Sequence, residues 1–332
     1  MTTDNGVLSG VDHGDDTTSA LVTPAALSHL VRQARELARC AKSDTSRRAY
    51  RSDWAAFVRW SDSMGVPSLV AAPDSVASYI TALSASRKKV ATISRALVSI
   101  SQAHKMAGQE SPTTSAVVRE TMKGIRRTLG VAQNRKLPLL PEQIKAILDV
   151  SPDSILGMRD AALLLLGFAG GFRRSSLVNL DVADVAFTAD GLVVTQRRGK
   201  TDQEGVGTLV GIPFGSTPQT CPVRALRRWL DAAAISEGPI FRPVGRWGRV
   251  GSERLGNRAV ASVVQRYVAA IGLNPSLYAG HSLRAGLATA AARAGKSERA
   301  IMNQTGHRSV AIMRRYIREG SLFADNAAAG LL

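Results

Sequence analysis

His281-Ser282-Leu283-Arg284 is followed in this chain by Gly306-His307 and then by Arg315-Tyr316. Two imidazoles, a guanidinium and a phenol thus fall within 36 residues, on segments whose helix signals turn them toward one another. A phenol is a poor nucleophile at neutral pH unless a neighbour takes its proton, and it forms covalent intermediates in enzymes. Arg and His side chains stabilise a transferring phosphoryl group and shuttle protons. The stretch therefore predicts chemistry on a phosphodiester.

The charge of the chain is strongly positive and unevenly spread. The formal net charge is +17, but residues 1–22 contain four Asp and no Lys or Arg, so the remaining residues carry +21. A charge of this size on a globular body predicts a polyanionic partner, and nucleic acid is the commonest. A basic protein without such a partner is the alternative. We favour nucleic acid because the cations recur on helix faces beside apolar stripes.

Cysteine use and hydropathy indicate the cellular setting. Cys40 and Cys221 are far apart and lack metal-type spacing, which fits a reducing cytosol and not a disulfide framework or a zinc site. The longest apolar stretch, Ala161 to Ala169, is too short to cross a bilayer, and no secretory signal is evident. We expect a cytoplasmic, nucleoid-associated protein with no membrane partner.

The first part of the chain predicts an all-helical domain. Residues 1–22 are polar and lack periodicity, so we expect a disordered acidic tail. Residues 23–130 predict helices separated by turn signals, with Asp44 as the N-cap of the second helix. We interpret this part as a DNA-binding domain. Residues 131–141, with two prolines and little periodicity, predict an extended linker.

The second part predicts a mixed α and β domain over residues 142–320. Two strand-like runs, at 192–195 and 208–212, interrupt a series of helical segments. The fold class is therefore mainly α with one small antiparallel sheet. Residues 321–332 form a tail for which two placements are open, on its own domain or on a neighbouring protomer.

Basic side chains in the helical domain occur in three clusters near helix starts or on polar faces. A solvated helix face is the alternative for any single cluster, but three clusters favour a DNA-facing surface. Most would contact phosphate, whereas a threonine could read base edges. The predicted DNA contacts are Arg47, Arg48, Arg51, Lys88, Lys89, Thr92, Arg95, Arg119, Lys123, Arg126, Arg127 and, in a glycine-rich loop of the second domain, Arg246.

Four motifs in the second domain together resemble the tyrosine recombinase (phage integrase) family, with a two-domain layout similar to its Cre-like members. The resemblance covers roughly residues 44 to 320. The spacing from Arg284 to His307 is 23 residues and that from His307 to Tyr316 is 9, which match the family pattern. The motifs are Gly171-Phe172-Arg173 with Leu177, Leu180 and Asp184 downstream; Lys200 in the turn between strands; His281-x-x-Arg284; and Gly306-His307 followed by Tyr316.

In this interpretation Tyr316 is the nucleophile, although taken alone it would fit the edge of a core stripe. His281 is a proton-transfer group beside the phosphate-binding Arg284, and a capping or core histidine is its alternative. Arg173 joins Arg284 in holding the non-bridging phosphate oxygens. The neighbouring Arg174 leaves that assignment open.

Lys200 is the candidate general acid for the leaving 5′ oxygen, and a solvated loop lysine is its alternative. His307 is expected to hydrogen-bond the same phosphate; many relatives have Trp there. The family often has an acidic residue three positions after the first catalytic Arg, where this chain has Ser176.

The resemblance implies a site-specific DNA recombinase that acts on duplex DNA as a homotetramer on two sites. No metal or nucleotide motif is present in the sequence, and we expect neither cofactor. Two alternatives remain open: a type IB topoisomerase-like relaxing enzyme, and a catalytically inert sequence-specific DNA-binding protein, which Ser176 alone supports.

Overall fold

The structure is a computed structural model, in which the described residues form two compact units divided between Gln133 and Asn134. Each unit has its own apolar core. The two-unit layout and the mainly helical class agree with the sequence prediction. The structure describes residues 27–34, 43–130, 135–197, 207–307, 309–311, 313, 314 and 316.

The first unit is helical throughout its described secondary structure, apart from turns. A 3-10 turn, Pro112–Thr114, lies between its last two helices. The helices are α1 (27–34), α2 (Asp44–Ser63), α3 (Pro73–Ala85), α4 (Val90–Met106) and α5 (Ala116–Leu129).

The start of α2 differs from the prediction by one residue. Ser43, not Asp44, is the N-cap: its backbone is extended and its hydroxyl accepts a hydrogen bond from the amide of Ser46 at 3.3 Å. Asp44 is the first helical residue, where its carboxylate pairs with Arg47. The prediction was wrong because both residue types cap well and the sequence does not show which one has the extended backbone.

The core of the first unit is built from the apolar faces of α2 to α5. Phe57, Ile80 and Ile93 are fully buried there. His104 is buried with them, and its Nε2 accepts the amide N–H of Ala71 at 3.0 Å. Its Nδ1 lies 2.9 Å from the carbonyl oxygen of Ile100, so both ring nitrogens are paired.

In the second unit, helices come both before and after a single sheet along the chain. Helix α7 is its central apolar element, with ten buried residues. The elements are α6 (Pro141–Asp149), α7 (Ile155–Ala169), α8 (Arg174–Val178), β1 (Val185–Phe187), β2 (Gly191–Gln196), β3 (Thr208–Pro213), α9 (Pro222–Ala232), α10 (Asn257–Ala270), α11 (His281–Arg293) and α12 (Glu298–Thr305).

The sheet is antiparallel in the order β1-β2-β3, as predicted. Val194 of β2 lies opposite Val185 of β1 and Val210 of β3. Leu192, Val194 and Val210 are buried, so alternate residues of the two longer strands face the core. The three-residue strand β1 was not separately predicted, because so short a strand carries little periodicity.

Residues 135–140, predicted as part of the linker, lie on the second unit. The amide of Leu137 donates to the carbonyl oxygen of Leu277 at 2.8 Å, and that of Leu139 donates to Ser282 at 2.9 Å. Leu139 is fully buried. A Cβ on Gly286 would lie 1.9 Å from the Leu139 carbonyl oxygen, so α11 packs directly against this segment. The two hydrogen bonds reach residues on either side of His281, where α11 begins.

Candidate active site

Helix α11 presents its first turn to the candidate site. It begins at His281, directly after Gly280. Arg284, one turn later, is only 3% exposed, whereas His281 at the helix start keeps part of its surface exposed although the surrounding protein desolvates its ring. The sequence-predicted pair is therefore present, with a buried cation beneath an accessible imidazole.

The guanidinium of Arg284 is held by backbone carbonyls. One terminal nitrogen donates to the carbonyl oxygen of Gly171 at 2.7 Å and also to that of Thr305. The other terminal nitrogen is buried and has no hydrogen-bond partner among the described residues. Burial first, and then the charge of Arg173, lower the pKa of Arg284 below its ordinary value, to about 10. A buried cation with an unused donor is a strong site for an anion such as phosphate.

Arg173 lies beside Arg284 as the N-cap residue of α8. It is half-buried, and burial lowers its pKa, whereas Arg174 is exposed. This difference favours Arg173 over Arg174 as the second arginine of the candidate anion site. The turn before it needs glycine: Gly171 has φ +56°, and a Cβ there would lie 2.9 Å from Leu287 Cδ2.

His307 follows the left-handed C-cap Gly306 of α12. It is half-buried, and its Nδ1 lies 2.7 Å from the hydroxyl oxygen of Thr305. Burial and then the charges of Arg284, Arg173 and His281 lower the pKa of His307 from 6.5 to about 4. Its imidazole is therefore neutral at physiological pH.

Tyr316 lies between the two histidines. Its hydroxyl oxygen is 2.9 Å from Nε2 of His281, and its ring centroid is 5.8 Å from that of His307. Residues 310, 311, 313, 314 and 316 are helical, and Met313 is fully buried against Ala288 and Ile301. This small apolar cluster, separate from the main core, holds Tyr316 over the start of α11.

Two other sequence-predicted positions have different outcomes. Lys200 lies outside the described residues, between β2 and β3. Ser176 is buried in α8, three residues after Arg173.

Among the residues that the structure describes, no group of three or more His, Cys, Asp or Glu side chains is placed to hold a metal ion. No helix in the described part of the chain is long and apolar enough to cross a membrane.

Sequence reasoning missed two residues of α12 whose hydrogen bonds connect separate elements around the site. The Gln304 amide donates to the carbonyl oxygen of Ala169 at 2.8 Å and to that of Gly211, in β3, at 3.0 Å. Thr305 contacts both Arg284 and His307. Their only sequence signal is a polar pair directly before Gly306-His307, which does not reveal the long-range partners.

The predicted DNA-contact residues divide by their partners. Arg95 forms a two-point ion pair with Asp53 (2.6 and 3.0 Å), and Lys123 lies 3.5 Å from Glu120. Arg47 pairs with Asp44, and Thr92 is half-buried. The remaining predicted cations of the first unit are exposed: Arg48, Arg51, Lys88, Lys89, Arg119, Arg126 and Arg127.

Arg246 is exposed on a tight turn of the second unit. The amide of Gly245 donates to the carbonyl oxygen of Arg249 at 2.8 Å across this turn. The Arg246 guanidinium carbon lies 5.2 Å from the ring centroid of Trp247, which is 87% exposed. The turn thus presents a cation and an indole to solvent.

Comparison with known proteins gives the same family as the motifs. The family model described as "Phage integrase family" matches residues 138–321. The chain belongs to the phage integrase family. It is 41% identical over 290 residues to the integrase/recombinase xerD homolog of Selenomonas ruminantium, which covers 86% of this chain and 85% of that protein. This tyrosine recombinase is also 25% identical over 293 residues to recombinase cre of Escherichia phage P1, covering 80% of each chain.

Two solved structures show the same fold at low sequence identity. XerH recombinase in a post-cleavage complex with a palindromic difH substrate has a TM-score of 0.58 and 18% identity, covering 78% of this chain and 72% of that one. A lambda integrase (75–356) dimer bound to a COC′ core site has a TM-score of 0.57 and 19% identity, covering 88% and 94%. Both predictions, of the family and of the fold class, are therefore confirmed.

Proposed function

We propose that this recombinase cuts and rejoins duplex DNA at a specific site through a covalent link between Tyr316 and a 3′ phosphate. The observation that carries the proposal is the position of the Tyr316 hydroxyl, 2.9 Å from a histidine nitrogen and beside a buried arginine, one of whose nitrogens has no partner in the described part of the chain. A nucleophile, a proton acceptor and an anion site thus meet at one place.

In the first step Arg173 and Arg284 bind the non-bridging oxygens of the scissile phosphate. Burial keeps their charges poorly solvated, so an incoming anion is favoured, and charge that builds on the phosphate is stabilised where water is scarce. His307 lies close to the same two arginines, whose charges lower its pKa. Two proteins of the same fold, XerH bound to a palindromic difH substrate and lambda integrase bound to a COC′ core site, are consistent with a recombination site as the partner.

In the second step the oxygen of Tyr316 attacks phosphorus as its proton passes to Nε2 of His281. The bond from phosphorus to the 5′ oxygen breaks, and Lys200 is the proposed donor of the proton that this oxygen gains. The reverse reaction, with a 5′ hydroxyl of a partner strand, releases Tyr316 and joins the strands. Because each step exchanges one phosphodiester for another, the proposal requires neither a metal ion nor a nucleotide.

Exchange between two duplexes requires several active sites, and we propose a homotetramer on two DNA sites. The exposed cations of the first unit and Arg246 supply the remaining contacts to DNA backbone in this proposal.

A nicked suicide substrate tests the proposal. Cleavage next to the nick releases a short oligonucleotide that carries the free 5′ hydroxyl, and its loss prevents religation and traps the covalent complex. A DNA site enriched from random or host sequence serves as substrate. We expect a denaturation-resistant protein–DNA band with the wild type and with Tyr278→Phe, whose buried hydroxyl accepts from Gln143 at 3.3 Å outside the site. Tyr316→Phe should bind the DNA without forming the band. Specific binding with no band from the wild type would instead favour the inert DNA-binding alternative.

A further inference from the structure

The hydroxyl of Thr305 has one proton and lies within hydrogen-bond distance of two other groups. Its oxygen is 2.6 Å from the carbonyl oxygen of Ile301 and 2.7 Å from Nδ1 of His307. A carbonyl oxygen can only accept a hydrogen bond, so the Thr305 proton is donated to Ile301. The contact with His307 then requires the ring to donate from Nδ1. This assignment follows from donor and acceptor counting alone.

We propose that Thr305 is a positioning residue that fixes His307 in the Nδ1–H tautomer, so that Nε2 of the neutral ring is a proton acceptor. In a neutral imidazole one nitrogen carries the proton and the other a lone pair. The hydrogen bond made by one nitrogen therefore decides what the other can do. Thr305 would set the chemistry of His307 without contacting the substrate.

The charge state of the ring supports this role. Burial and the surrounding cations keep His307 neutral at physiological pH, since they lower its pKa to about 4. A neutral Nδ1–H ring has no Nε2 proton to donate to a phosphate oxygen. The phosphate role of His307, which rests on the proposed function, then requires proton uptake. An anion bound nearby favours that uptake, because an opposite charge stabilises the imidazolium.

Thr305 also contacts the phosphate-binding arginine through its backbone. Its carbonyl oxygen accepts from Arg284, and its Cγ2 atom lies 3.0 Å from the position of a Cβ on Gly171. Thr305→Val keeps the carbonyl and the branched shape but removes the hydroxyl. The substitution therefore separates the effect of the hydroxyl on His307 from the packing of the site.

The chain offers an internal standard for the tautomer. His104 must also carry its proton on Nδ1, since its Nε2 accepts from the Ala71 amide and its Nδ1 faces the Ile100 carbonyl oxygen. The chain also offers a matched control substitution. The buried hydroxyl of Thr289 in α11 has no hydrogen-bond partner among the described residues, so Thr289→Val removes a hydroxyl elsewhere in the same unit.

Nitrogen NMR of ¹⁵N-histidine-labelled full-length protein without DNA tests the proposal. Protonated and unprotonated ring nitrogens resonate far apart, the chain has five histidines, and His307→Gln identifies the His307 signals. At neutral pH we expect His307 to show the Nδ1–H pattern of His104 in the wild type, Thr305→Ser and Thr289→Val. Thr305→Val should shift the ring toward the Nε2–H tautomer.

Two results would overturn the proposal: an Nε2–H ring at His307 in the wild type, or an unchanged tautomer in folded Thr305→Val. If Thr305→Val does not fold, the wild-type and Thr305→Ser spectra still decide the tautomer. The spectra are independent of covalent chemistry. Failure of the tautomer assignment is thus distinct from failure of the proposed recombination, which would appear as the missing adduct.

Discussion

The hydroxyl oxygen of Tyr316 lies 2.9 Å from Nε2 of His281, a residue 35 positions earlier in the chain. His281 is fixed by the first turn of α11, and Tyr316 by the burial of Met313 one turn before it. The contact joins a phenol to a ring whose pKa is lowered by burial and then by Arg284, Arg173 and Arg135. A neutral imidazole at this distance is placed to accept the phenolic proton.

His281→Gln is expected to slow cleavage by roughly 10²- to 10⁴-fold, the usual contribution of a general base. Since the pKa of His281 lies below 6.5, the wild-type rate should be constant at neutral pH and fall as the pH drops through that lowered pKa. Single-turnover cleavage across acidic and neutral pH measures both effects. His29→Gln, an exposed residue of α1, is the control. An acidic limb that persists unchanged in His281→Gln would assign the base elsewhere.

Arg284→Lys should reduce cleavage by about 10²- to 10³-fold, because a lysine cannot bind two carbonyls and still present a second donor nitrogen to phosphate. We also expect a loss of about 1–3 kcal/mol in the free energy of unfolding, since the carbonyl oxygens of Gly171 and Thr305 lose the guanidinium nitrogen that donates to both of them. Cleavage kinetics and denaturant unfolding measure the two losses. The exposed Arg174→Lys should change neither, and equal effects of both substitutions would contradict the assignment.

Asp160→Ala should destabilise the second unit without acting on the chemistry. Asp160 is fully buried and accepts from Arg159 at 2.6 Å and from the Tyr267 hydroxyl at 3.2 Å. Removing it leaves the buried Arg159 charge uncompensated, which typically costs about 3–5 kcal/mol. Thermal or denaturant unfolding checks this, with the exposed Asp153→Ala as control. A loss as small as that of the control would mean that the network is not formed.

Arg119 and Arg95 should differ in their contribution to DNA affinity. Arg119 is exposed, whereas the charge of Arg95 is already compensated by the two-point pair with Asp53. The logarithm of the binding constant falls as the logarithm of the salt concentration rises. For Arg119→Ala this fall should be less steep by about 1, because one phosphate contact is lost. Arg95→Ala should change the slope by less than half as much. The reverse order would remove Arg119 from the interface.

Much of the fold, and which residues would come together at the candidate site, could be predicted from the sequence because the signals are local. Val90, Ile93, Leu97 and Ile100 recur at helical spacing, and α4 occupies that stretch. The order and spacing of Arg173, His281, Arg284, His307 and Tyr316 identified the family. What the spacing could not show is how each side chain is held.

The missed features depend on contacts between distant residues. The carbonyl of Gly171 that holds Arg284 is 113 positions away from it. Gln304 reaches Ala169 and Gly211, and neither partner has any local relation to it. At the other extreme, the choice of Ser43 over Asp44 as a cap depends on one residue's backbone angles. Side-chain pattern reports periodicity and chemistry, but not these tertiary or single-dihedral details.

The most direct test of the account is the chemical identity of the covalent link. After trapping on the suicide substrate, protease digestion and mass spectrometry of the DNA-linked peptide would locate the modified residue. We predict a single phosphotyrosyl bond at Tyr316, joined to a 3′ phosphate and leaving a free 5′ hydroxyl. A link to another residue, or to a 5′ phosphate, would contradict the assignment of Tyr316 and the direction of the proposed reaction.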